Sequence, residues 1–488
     1  MQSRRDQVQA HLFVMSRLAS GMLRAEPDAP DTPTGRTTRG TLTGLAVAVL
    51  IGLGVTVYGM VKPGGSTDWA APGTLVVVEE NGARYLYLGG QLHPVLNDTS
   101  AKLVAGEKMV VKQVARDTVA AVPRGGPVGI VGAPDGLPAA KGLAGATWLV
   151  CGTTEPGPNG PGSPPVPRLS LLVDPAREGK APAAGQGVLV STPDGAVHLL
   201  WQGQRLRVDT ANSALQALGY AGTTPFPVSA GLVNALPAGP DLAAPAVPGR
   251  GSAGPTLAGR PTKLGQLFDT PGGAHYVLTQ EGLVPLSRTR FELLRGDPRT
   301  QREAYGKDAP VAASIGADDL AAHTAPSAAA GPAAAGLPEA PPGLVVPARG
   351  EAVCADLHTG AGAPVGTVTV LAGADAAAAR PPAAQPGVTA ACPVADRIAV
   401  RPGRGALVRA LSGAGTGATT YLVTEGGVKY PVPSALALKQ LGYGETAAAG
   451  VPAAVLGLLP VGPSLDPAAL ADGAVAAPTA PASPPVCG

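Results

Sequence analysis

A mainly β, α+β architecture is what this sequence predicts: one transmembrane helix, then an elongated extracytoplasmic domain with a central β body and four hairpin-helix repeats. Three observations predict it. A single long apolar stretch lies near the amino terminus, short apolar runs bounded by Gly and Pro fill most of the rest, and four of those runs share one template. With 68 Gly, 53 Pro and 3% aromatic residues in 488, the composition favours short strands and many turns over long amphipathic helices.

The apolar stretch is Leu42 to Val61, twenty residues without charge or proline. As a helix it reaches roughly 30 Å, the thickness of a bilayer's hydrocarbon core. A signal peptide would be shorter and closer to residue 1, with a small-residue cleavage site after it. Six arginines (Arg4, Arg5, Arg17, Arg24, Arg36 and Arg39) precede the span, and only Lys62 lies in the twenty residues after it. Positive residues stay cytoplasmic, so residues 1–41 are expected inside and residues 62–488 outside. Gly44, Ala48, Gly52 and Thr56 recur every fourth residue, a small-residue face on which another helix could pack.

Residues 1–41 read as a cytoplasmic arm and tether. Ser3 followed by Asp6 resembles a capping box, and Val8, Leu12, Met15, Ala19 and Met22 then fall on one helical face. Glu26-Pro27 ends the pattern. So short an arm has no core in which to bury that stripe, which points to docking on a cytoplasmic partner.

Beyond the span, the repeat hairpins are Tyr85 to Val95, His198 to Val208, Tyr276 to Leu286 and Tyr421 to Val432, each turning at Gly. Asn212 to Tyr220 and Ser434 to Tyr443 read as short helices closed by Gly. The expected units are repeat one at 72–128, repeat two at 193–245, repeat three at 246–323 and repeat four at 413–471. The central body is expected from 129–192 and 344–412, through runs such as Ala146 to Cys151, Leu169 to Val173, Gly187 to Ser191, Leu344 to Val346, Val365 to Leu371 and Ala406 to Leu411. A low-complexity linker occupies 324–343, and a Pro/Ala-rich tail runs over 472–488.

All four cysteines, Cys151, Cys354, Cys392 and Cys487, follow the span. In an oxidising compartment they read as two disulfides with three possible pairings. Catalytic signals are missing. Gly179-Lys180 and Gly306-Lys307 lack the hydroxyl and upstream glycine of a phosphate-binding loop, and no G-x-S-x-G, H-E-x-x-H or G-x-G-x-x-G occurs. His93, His198 and His275 sit in hairpins as strand-surface residues, and Asp318-Asp319 reads as a helix cap. Trp69 is expected as an interfacial anchor, Trp148 and Trp201 as core. With 14% charged residues and a net charge of +2, no field favours nucleic acid. No enzymatic activity, cofactor or metal is expected.

The arm Ser3 to Phe13, the approach Thr34 to Arg39 and the lone span resemble the EccB family of actinobacterial type VII secretion systems, and the hairpins and outer cysteines extend the likeness over the chain. The resemblance implies a structural subunit of the secretion membrane complex, in more than one copy. Its implied partners are an EccC-like ATPase, EccD-like and EccE-like membrane subunits and a MycP-like protease. It also implies a disulfide across the body, which Cys151 and Cys354 match best, leaving Cys392 with Cys487. Nucleotide hydrolysis has been proposed within the family, without a motif here to support it. Gripping peptidoglycan through the repeats is the alternative role.

Overall fold

The computed structural model describes residues 3–24, 33–61, 67–143, 147–160, 162–326, 336–359, 365–377, 379–412, 415–470 and 475–476. Two helices open the chain, Arg4–Arg24 and Pro33–Val61. The second begins nine residues before the predicted span, because Pro33 fits the first turn of a helix and nothing after it interrupts. Its stretch Thr37–Met60 has a mean hydropathy of 2.0, and none of it is buried.

The outer region is built on a five-stranded sheet ordered Val365–Ala372, Glu351–His358, Thr147–Glu155, Val166–Val173 and Arg397–Val400. The first four run antiparallel, and the last joins the edge in parallel. Strict alternation gives it two apolar faces. Trp148, Val150, Leu171, Val173, Val353, Ala355 and Leu357 face one side, where the helices Ala230–Ala235 and Ala453–Leu456 cover them. Leu149, Cys151, Leu172, Ala352 and Cys354 face the other, under the short helix Gly373–Ala377. Cys151 stands directly opposite Cys354, and the two are bonded.

Around it, among the described residues, four small sheets share one topology, beside two hairpin-sized two-stranded ones. Each of the four is a three-stranded antiparallel meander whose fourth strand returns parallel to the first. Their first strands are Leu75–Val78, Gln186–Ser191, Leu267–Asp269 and Ala406–Ser412. The predicted hairpins supply the second and third strands. Helices Asp98–Ala105, Ala214–Ala217, Arg288–Gly296 and Ala435–Leu441 lie on the way to the fourth strand. The last is capped by Ser434 Oγ and closed by Gly442 at φ 84°, a left-handed conformation suited to glycine.

Two strands expected in the central body lie elsewhere. Gly187 to Ser191 and Ala406 to Leu411 belong to the first strands of the second and fourth small sheets, and Leu344 pairs with Gly187 there. A hairpin is marginal alone, and the nearest strand to complete it is the one just before it, joined by a short turn at low entropic cost. The second and fourth small sheets therefore begin one strand before the hairpins read from the sequence, and the five-stranded sheet lacks both strands.

Trp69 is also displaced from its expected lipid interface. It is 7% exposed, its ring edge-on to Tyr87 at 5.5 Å within the first small sheet. That sheet shares a core with the fourth, where Leu103 meets Leu441 and Tyr443. The second and third are joined where Leu293 enters the cluster of Ala214 and Leu218.

The disulfide closes a loop with a sequence separation of 203 residues. Replacing both cysteines by alanine is expected to lower stability by on the order of 4–5 kcal/mol in the chain-entropy description. Denaturant melts of the full chain in detergent check this; an unchanged midpoint would assign the closure to packing alone.

Candidate functional site

The apolar helix is the first functional element. Gly44, Ala48, Gly52 and Thr56 line one face, all exposed, with nothing within 4 Å of a Cβ built at Gly44 or Gly52. The Thr56 hydroxyl donates to the Gly52 carbonyl at 2.6 Å, so its polar group is satisfied within the helix, as a hydrocarbon surround demands.

The preceding helix starts as the sequence suggests chemically. The Ser3 N–H donates to Asp6 Oδ2 at 3.1 Å, closing the first turn. Val8, Leu12, Met15, Ala19 and Met22 are all exposed, Met22 to 87%. Phe13, Val14 and Leu18 are exposed as well, so the apolar face is broader than the predicted stripe. An isolated helix of this length draws most of its stability from packing, and among the described residues no core cluster includes a side chain of this helix.

In the body, Cys151 and Cys354 are fully buried with Cα atoms 4.0 Å apart. Cys392 is disulfide-bonded too. Cys487, its expected partner, lies outside the described residues.

The hairpin histidines have three different settings. His93 Nδ1 lies 3.0 Å from the Gly126 carbonyl. His275 Nδ1 lies 2.6 Å from Asp269 Oδ1, its ring stacked on Phe291 at 4.1 Å. His198 is half-buried, and its Nδ1 has no partner. Asp319 accepts from the Ala258 N–H at 3.1 Å, tying the Ala317–His323 helix to a neighbouring hairpin. Trp148 is fully buried; Trp201 is partly buried and donates to the Ala184 carbonyl.

Three buried charge settings escape a linear reading. Asp297, wholly buried, meets Arg250 at 2.9 Å and Arg299 at 3.1 Å. Burial works to raise its pKa, but hydrogen bonds from the two arginines outweigh it and leave the carboxyl below its ordinary value. Asp356, 3% exposed, has one oxygen without a hydrogen bond, 3.6 Å from His358 Nε2, and burial pushes its pKa up. Lys429 is 9% exposed; its Nζ donates to the Leu456 carbonyl at 2.5 Å, at the end of a helix covering the central sheet. Burial pulls its ammonium down to about 8. A column comparison of the four hairpins could have found Lys429, because Leu92, Arg205, Leu283 and Lys429 occupy one register, each bridging the returning chain. Two leucines in that column mark the position as inward-facing.

Residues 1–477 match the family model described as "Type VII secretion system ESX-1, transport TM domain B". A Mycolicibacterium smegmatis protein named ESX-3 secretion system ATPase EccB3 is 30% identical, over 94% of this chain and 89% of its own length. A Mycobacterium tuberculosis protein of the same name is also 30% identical, over 76% and 68%. Among solved structures, a chain of an intact ESX-5 inner membrane complex superposes with a TM-score of 0.63 at 24% identity, covering 96% of this chain and 95% of that one. The EccB3 dimer from the ESX-3 core complex gives 0.61 at 27%, covering 81% and 98%.

Lys429 has a pH signature. Its pKa in the fold is about 8 against an ordinary 10.5, so the unfolded chain holds more protons between those values and stability rises with pH across that window. Lys429→Met is expected to remove that rise. Thermal melts of both proteins between pH 7.5 and 10 check it, and parallel slopes would contradict the assignment.

Proposed function

Because the chain belongs to the EccB family of type VII secretion membrane proteins, we propose that it is a structural subunit of such a complex, anchoring and organising the machine for protein export across the cytoplasmic membrane. The observation that carries this reading is the pairing of one unburied apolar span with a large cross-linked body that continues it.

The relatives' names include the word ATPase. Our reading is non-catalytic. The chain carries no phosphate-loop stretch, and Lys429, its most buried lysine, directs its ammonium onto a carbonyl within its own fold.

The arginines before the span support an arm inside the cell and a body outside it. The four sheets of one topology support a division into four copies of one unit around the central sheet, with the second and fourth copies starting near residues 186 and 406. The bare apolar face of the arm suits EccC-like and EccD-like partners, and the small-residue face of the span suits a neighbouring membrane helix, of an EccD-like or EccE-like subunit or of a second copy. A MycP-like protease is a partner of the outer body in this reading.

Deleting residues 1–26 is expected to leave membrane insertion intact while releasing the EccC-like and EccD-like partners. Native gels of detergent extracts check this, and a complex of normal size would count against arm docking. Protease added to intact spheroplasts is expected to degrade the body while sparing the arm; a protected body would reverse the orientation.

A further inference from the structure

In three of the four small sheets one cross-strand pair recurs. Tyr85 stands opposite Pro94, Tyr276 opposite Pro285 and Tyr421 opposite Pro431. In each, the proline sits two residues beyond the position that bridges the returning chain, at Leu92, Leu283 and Lys429. The second sheet has Arg205 at the bridging position, and so Arg207 where the others have proline. Opposite Arg207 stands His198, where the others have tyrosine. An aromatic ring against a proline gives way to two basic groups.

Beside this exchanged pair lies a cleft of about 420 Å³, lined among others by Thr192, His198, Arg205, Arg207, Asn234 and Asp241. That volume lies within the range of sites for small ligands. Arg205 is held in place, its Nη1 donating to Asn234 Oδ1 at 2.6 Å. The Arg207 guanidinium makes no hydrogen bond or ion pair among the described residues. His198 Nδ1 is buried without a partner. Burial, and then the charges of Arg205 and Arg207, lower the His198 pKa, so its ring is neutral and offers one donor and one acceptor.

Two carboxylates share the cleft. Asp194 is engaged in its own turn, accepting from the Thr192 hydroxyl and from the Ala196 N–H at 3.3 Å. Asp241 is exposed on the rim. A bare inorganic anion would gain from Arg207 and lose to Asp241. A ligand with both a carboxylate and hydroxyls would use each, the carboxylate on Arg207 and the hydroxyls donating to Asp241 and Asn234.

The geometry points to a binding site for an acidic sugar, a carboxylate-bearing ring of an extracytoplasmic polysaccharide, seated between His198, Arg207 and Asp241. It rests on the outward placement of the body proposed above.

Calorimetry on the full chain in detergent, with N-acetylmuramic acid as probe, tests it independently of orientation. Saturable binding is expected, weakened about tenfold or more by Arg207→Gln, the loss of one charge-assisted hydrogen bond. The double variant His198→Tyr, Arg207→Pro, which restores the pair of the other sheets, is expected to abolish binding. N-acetylglucosamine, which lacks the carboxylate, is expected to bind at least about tenfold more weakly on the same ground. No saturable binding by the parent, or equal binding by Arg207→Gln, overturns the site. Equal binding of N-acetylglucosamine, or of inorganic phosphate, overturns the acidic-sugar assignment. The spheroplast digestion separates these failures from a failure of the outward placement.

Discussion

The pairing of Thr147–Glu155 with Glu351–His358 is the constraint on which the rest depends. These strands come from halves of the chain about two hundred residues apart, and bringing them together costs more loop entropy than any local hairpin. The register that does so places Cys151 against Cys354 and sorts the side chains onto two faces. A slip of Glu351–His358 by one residue against Thr147–Glu155 would turn Val353 and Ala355 away from the face that Trp148 shares and separate the cysteines. The disulfide therefore holds one register as well as one topology.

From that sheet the small sheets are arranged as two pairs. The first and fourth share one core, the second and third another. The helices Ala230–Ala235 and Ala453–Leu456, which belong to the second and fourth sheets, meet on the same face of the central sheet. Both are held by a basic side chain from one register of the hairpin: Arg205 reaches Asn234, and Lys429 reaches the Leu456 carbonyl. In the first and third sheets that position is a buried leucine. The two small sheets whose helices reach the central sheet thus carry a polar clamp where the other two carry apolar packing. A lysine buried at a helix carboxyl end gains from the dipole there, which offsets part of its desolvation.

How much of this was legible in the sequence depends on the range of the interaction. The hairpins could be read because alternation and a turn glycine act within a dozen residues. The span could be read because length and apolarity suffice for a bilayer. Gly187 to Ser191 and Ala406 to Leu411 read as central strands but pair in the small sheets, because an apolar strand carries no record of which sheet its neighbours belong to. Trp69 reads as a lipid anchor because it lies close to the span, whereas Tyr87 and the first sheet offer a closer apolar surface. Lys429 reads as a surface residue until the hairpins are set in one register. The cleft by His198 also becomes visible only through that comparison, since neither His198 nor Arg207 belongs to a motif.

The position of Trp69 bears on how the span and the body act together. Eight residues lie between it and Met60, so the chain joining them reaches roughly 30 Å at full extension. Trp69 is packed into the first sheet, and that sheet is joined through Leu103 to the fourth. The fourth meets the central sheet through Val408, Val455 and Leu456. Interiors packed at crystal-like density pass on displacements with little slack. Packing that runs from the first sheet through the fourth to the central one suits a structural subunit.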